Sequence, residues 1–134
     1  MDYIKIKEEY HLYYKTLGHI LSPFFKEEIS FNNKGWSHII RKGSGLRPQK
    51  EVQKRLENLK DSVEILKIAT TVQEKEIRKI LDKNTEYYGF VAIINENKIK
   101  VIVRKEGMGK LHFYSLMTDY VTSPKRDFID TGKV

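Results

Sequence analysis

The chain contains no cysteine. That excludes a disulfide scaffold, a cysteine nucleophile and any thiolate-bound zinc, and it fits a reducing cytosol. Long apolar runs are missing as well: none approaches the roughly 20 residues that a membrane span needs. The opening stretch, MDYIKIKEEY, is too charged for a signal peptide. A cytoplasmic protein without membrane attachment is therefore expected. No Gly/Ser linker, internal repeat or low-complexity tract divides the 134 residues, so one domain over 1–134 is expected. Phosphate-loop and dinucleotide fingerprints are absent, because Gly43-Ser44-Gly45 lacks the preceding strand that such a loop needs. None of the 4 histidines has a partner at helical metal-site spacing, and no carboxylate cluster accompanies them. No metal or cofactor is expected. Any chemistry must come from His, Lys, Arg and hydroxyl groups.

What is present reads as an α+β protein, with N-terminal helices packed on a C-terminal antiparallel meander of three to four strands. Tyr3, Ile6, Tyr10, Tyr13, Tyr14 and Leu17 recur every three or four residues, an amphipathic helix that Gly18 can stop. Ser22-Pro23 can start a short helical turn through Phe24 and Phe25. Residues 29–35 read as extended and then turning, and Trp36 to Gly43 as a short helix. Pro48 fits the first position of a long helix running to Ala69 or Thr70. Its stripe of Val52, Leu56, Leu59, Val63 and Leu66 is core-packing. A further short helix is expected over 72–81 from Ile77, Ile80 and Leu81, which closes the helical part near residue 83. Strands follow within about 87–120: Tyr87–Ile94, Ile99–Arg104 and Leu111–Met117, the first pair joined by a tight turn at Asn95-Glu96-Asn97. The tail, 122–134, has little periodicity.

Charge is segregated. Lys plus Arg number 25 against 18 acidic residues, a net +7. Residues 34–55 hold seven cations against Glu51 alone, or +6. Residues 98–112 hold five against Glu106 alone, or +4. The rest of the chain is slightly acidic. Such concentration points to a polyanion partner; the plain alternative is a solvated helix face beside an exposed hairpin.

Strand alternation places Lys100, Ile102 and Arg104 on one face and Ile99, Val101 and Val103 on the other. A hairpin symmetric about Met108 sets Arg104 opposite His112, Ile102 opposite Tyr114, Lys100 near Leu116 and Val103 against Phe113. Lys100, Arg104, His112 and Tyr114 then share a face. Metal-free RNA cleavage needs a base for the 2′-OH, an acid for the leaving 5′-oxygen and cations for the phosphorane charge. Histidine supplies the proton roles near neutral pH, and arginine grips phosphate with two N–H groups. His112 and His38, the latter inside the +6 stretch, are the candidate proton carriers. His38 can equally be a packed residue beside Trp36 and Ile39. His11 and His19 read as structural or surface residues.

The segment Trp36-Ser37-His38-Ile39-Ile40, the long helix and the strands Ile99–Arg104 and Leu111–Ser115 occur in that order. This pattern resembles phage-associated nucleases of the barnase–EndoU–colicin–RelE superfamily, over about residues 29–120. The resemblance implies a small metal-independent ribonuclease or toxin, with helices packed on a four-stranded antiparallel sheet. A fourth strand would come from residues 29–31 or from the tail. Matching positions are His38, Lys100 or Arg104, and His112 or Ser115. Catalysis is thus expected at His38, Lys100, Arg104, His112, Tyr114 and Ser115. Strand alternation sets Ser115 on the opposite face from His112, so a bulge or an open sheet would be needed to unite them. Arg41, Lys42, Arg47 and Lys110 are expected to hold RNA, such as tRNA or mRNA, and an acidic antitoxin or immunity protein could cover the same basic face. A non-catalytic nucleic-acid-binding module and a protein-interaction domain are the alternatives.

Overall fold

The computed structural model describes residues 2–118; the tail expected over 122–134 lies outside them. The chain runs α1 (Tyr3–Leu17), β1 (His19–Ser22), β2 (Glu27–Ser30), α2 (Asn33–Ile40), β3 (Arg41–Lys42) and β4 (Gly45–Leu46). It continues through α3 (Gln49–Glu57), α4 (Leu59–Ile68), β5 (Glu74–Ile80), β6 (Lys83–Ile94), β7 (Asn97–Glu106) and β8 (His112–Thr118). The architecture is α+β, as expected, but the sheet is larger and mixed. Its order is β1-β2-β8-β7-β6-β5, and only the β2–β8 contact is parallel. Among the described residues no helix is long and apolar enough to cross a membrane.

Four expectations about elements are corrected. Residues 72–81 are not a helix: β5 pairs antiparallel with β6 from Glu74 opposite Gly89 to Ile80 opposite Lys83. The apolar spacing at 77, 80 and 81 mimics a helical stripe, yet all three residues are exposed. The long helix is two helices meeting at Asn58 (φ −104°, ψ 6°). Its apolar stripe continues across the break, and all five residues are buried. The turn through Phe24 and Phe25 closes a hairpin, β1–β2, within the region read as helical. It lays both rings edge-on against Phe90 of β6. The short helix also begins earlier, because the Asn32 carboxamide accepts from the Lys34 and Gly35 amides and caps α2.

One face of the sheet meets the helices. Ile99, Val101 and Val103 of β7 join Phe90, Phe113 and Leu116 against Val52 and Leu56 of α3 and Leu59 and Leu66 of α4. Alternation does this, with every second residue of β7 apolar and buried. α2 lies along β8 with little clearance. A Cβ on Gly35 would fall 2.6 Å from Phe113 Cδ2 and 2.7 Å from the Phe113 carbonyl oxygen, and would also strike the Tyr14 hydroxyl. Tyr14 donates to the Asn32 carbonyl at 2.7 Å, tying α1 to the cap of α2. The opposite face of the sheet carries the candidate site.

Candidate functional site

Arg104 stands opposite His112 and Val103 opposite Phe113, as the symmetric hairpin predicts. Beyond them the register shifts: Ile102 pairs with Ser115 rather than Tyr114, and Lys100 with Met117 rather than Leu116. Tyr114 is therefore the extra residue of a β-bulge. A bulge re-aims side chains and bends its strand. Here it returns Ser115 to the face of Ile102 and His112, which strict alternation forbids.

β2 pairs with β8 at Ser30 and His112, with the Ser30 amide donating to the Leu111 carbonyl, and the chain then leaves into α2. The C-terminal half of that helix reaches the bulge. His38 packs on Tyr114 with ring centroids 4.1 Å apart, and His112 lies 6.5 Å from the same ring. The Arg104 guanidinium sits 4.4 Å above Tyr114, within cation–π range. Arg104 Nε also donates to His112 Nε2 at 3.2 Å. Its Nη2 reaches Glu106 at 3.1 Å, and Glu106 in turn binds Lys34 at 3.3 Å. His38, Arg104, His112 and Tyr114 thus form one cluster.

The electrostatics follow from this packing. Burial first, and then the Arg104 charge, hold both His38 and His112 below the ordinary imidazole range. For His38, Arg47 and Arg55 add to the effect; for His112, a hydrogen bond to the Lys110 backbone opposes it. Both rings are thereby biased toward the neutral form. Arg104, ahead of Lys34, holds the Glu106 carboxyl below its usual range.

The remaining predicted residues are placed differently. Lys100 is buried, and its ammonium meets the Glu74 carboxylate; it lies beyond Ile102 from Arg104 along β7. Arg47 is bound inward: Nε donates to the His38 carbonyl at 3.1 Å and Nη1 meets Glu51 at 2.7 Å. It positions α2 rather than presenting a free guanidinium to RNA. Arg41 and Lys42 are exposed on the β3–β4 hairpin. Lys110 is exposed and lines a hollow of about 270 Å³ with Lys34, Asn32 and His112. His11 stacks flat on Trp36 at 4.2 Å, and exposed His19 pairs with Glu28; both fit the structural reading.

Sequence reasoning missed several participants. Lys34 was counted in the basic stretch, but its link to Glu106 spans 72 residues. Tyr87, 5.6 Å from Tyr114, carries Arg78 at 4.8 Å on its ring; the helix expected over 72–81 hid this pairing. Arg55 donates to the Leu116 carbonyl on β8, with Glu51 beside it. A buried guanidinium caps the strand edge there, and nothing in the local pattern separates it from a solvated cation. Among the described residues no group of three or more His, Asp or Glu side chains is arranged to hold a metal ion. Among known proteins, no family model, curated protein or solved structure matches this chain.

Proposed function

We propose that the protein is a metal-independent ribonuclease of toxin or phage-related type, cleaving by 2′-OH attack to leave a 2′,3′-cyclic phosphate. The observation that carries this reading is the convergence of His38 from α2 and of Arg104 and His112 from the paired strands β7 and β8 on Tyr114. One phosphodiester at Arg104 would touch both imidazoles. Arg104 would exchange its His112 contact for two N–H bonds to phosphate oxygens, which frees Nε2 for proton transfer. The incoming negative charge raises both histidine pKa values toward neutrality. One imidazole then takes the 2′-OH proton and the other protonates the leaving oxygen. Glu106 and Lys34 hold Arg104 in place, and the exposed Lys110, Arg41 and Lys42 would bind flanking phosphates. The same basic face suits an acidic inhibitor protein.

A second reading, RNA binding without cleavage, draws on the Tyr87–Tyr114 pair and its two arginines, a platform on which bases stack. Incubation of the purified protein with total RNA in EDTA separates the two. The nuclease reading expects cleavage that His38→Ala and His112→Ala each reduce by about 10²–10⁴-fold, with circular dichroism unchanged. Salt-dependent binding without cleavage in the parent would favour the second reading.

A further inference from the structure

Next to the catalytic cluster, on the same open face, lies a cavity of about 430 Å³ between β5, β6 and β7. Tyr114 lines it together with Tyr87, Ile102 and Gly89; its polar side holds the Glu74–Lys100 pair together with Gln73, Lys75, Glu76 and Arg78. Tyr114 belongs to both places, so a nucleotide with its phosphate at Arg104 would put its base here. We propose that this cavity is a nucleobase subsite in which Glu74 and Lys100 select guanine. The inference rests on the RNA-cleaving reading of the adjoining cluster.

Three observations carry it. Gly89 interrupts β6 between Tyr88 and Phe90. Glycine weakens a strand interior and often marks a close approach by a ligand or another backbone. A Cβ there would fall 3.0 Å from Lys100 Cε and 3.3 Å from Glu74 Cβ, so any other residue would intrude on the pair and the floor. The second observation is the ion pair itself. The Lys100 and Glu74 side chains are 7% and 13% exposed. A pair so desolvated recovers little net stability compared with an apolar one, and its place beside a cavity instead gives it a recognition role. A carboxylate only accepts hydrogen bonds and an ammonium only donates them. Among the four RNA bases, guanine alone presents two adjacent donors, N1–H and N2–H, beside an acceptor, O6. The carboxylate matches the two donors and the ammonium matches O6. The third observation is the aromatic wall. Tyr87 and Tyr114 stand edge to face with 5.6 Å between centroids, and a base would stack on Tyr87 by displacing the Arg78 guanidinium that lies 4.8 Å over its ring.

The test is calorimetric binding of the 3′-monophosphates of guanosine, adenosine, cytidine and uridine to the full chain, with inorganic phosphate as the reference. Guanosine 3′-monophosphate is expected to bind at least about 10-fold tighter than the others. Glu74→Gln combined with Lys100→Met removes both charges together, so neither is left buried alone. The double variant is expected to erase that preference while leaving phosphate binding unchanged. Gly89→Ala is expected to weaken all four nucleotides and spare phosphate. Equal binding of the four, no binding of any, or a guanine preference that survives the double variant overturns the subsite. Cleavage of RNA without a preference for guanosine would remove the subsite and leave the nuclease standing. Guanine-selective binding with no cleavage would do the reverse.

Discussion

The two faces of β7 are built for different ends. On one, Ile99, Val101 and Val103 have no exposure and belong to the hydrophobic core. On the other, Lys100 and Arg104 are also withdrawn from water, yet each is held by a charged or aromatic partner: Glu74 for the first, and Glu106, His112 and Tyr114 for the second. Burial on the helical face yields stability in proportion to area. Burial on the open face costs desolvation and returns little net stability, so its side chains are held in place for another purpose. The bulge at Tyr114 is where this difference is sharpest, since Phe113 faces the core and Tyr114 faces the cluster.

Core-face changes give the largest expected effects on stability. Phe113→Ala removes a fully buried ring and is expected to cost about 3–5 kcal/mol in urea denaturation. Gly35→Ala is expected to cost about 3 kcal/mol, because the added methyl meets backbone as well as side chain. On the open face the order inverts. Arg104→Lys is expected to leave the unfolding midpoint nearly unchanged and to lower cleavage about 100-fold, since an ammonium cannot reproduce the bidentate contact. Similar losses of stability from Arg104→Lys and Phe113→Ala would erase the distinction between the faces.

A smaller effect concerns pH. His38 and His112 are held below the ordinary imidazole range by burial and Arg104, and His11 by burial and then Lys15. Unfolding returns each to about 6.5, so the unfolded chain binds more protons as the medium acidifies. The stabilising contribution is complete above that value and is lost as pH falls through the folded values. Denaturant midpoints are expected to decline between about pH 7.5 and 5.5, and His112→Gln is expected to flatten the slope. Identical slopes in parent and variant would remove His112 from the account. The smallest effect belongs to the exposed hairpin. Arg41→Ala and Lys42→Ala are each expected to weaken RNA binding modestly and to reduce the slope of log affinity against log salt by about one.

The sequence was most legible where one periodicity sufficed. The stripe in α1, the five buried residues of α3 and α4, and the alternation along β7 all follow from spacing alone. The Arg104–His112 and Val103–Phe113 pairs followed from hairpin symmetry. What failed was non-local. Ile77, Ile80 and Leu81 fit a helical spacing as well as a strand, and only pairing with β6 decides between them. The bulge at Tyr114 has no local signature, yet it allows Ser115 to share the face of His112. Residue type marked Lys100 and Arg47 as phosphate binders. Their partners Glu74 and Glu51 turn one into the wall of a cavity and the other into a tie for α2.

The central claim is that one phosphodiester lies between His38 and His112 at Arg104. Nuclear magnetic resonance titration of the histidine ring protons tests it most directly, with and without a 2′-deoxy dinucleotide that cannot be cleaved. The account predicts that both pKa values rise on binding, with one shared apparent dissociation constant, and that Arg104→Lys weakens both responses. A ligand that shifts only one histidine, or neither, would contradict it.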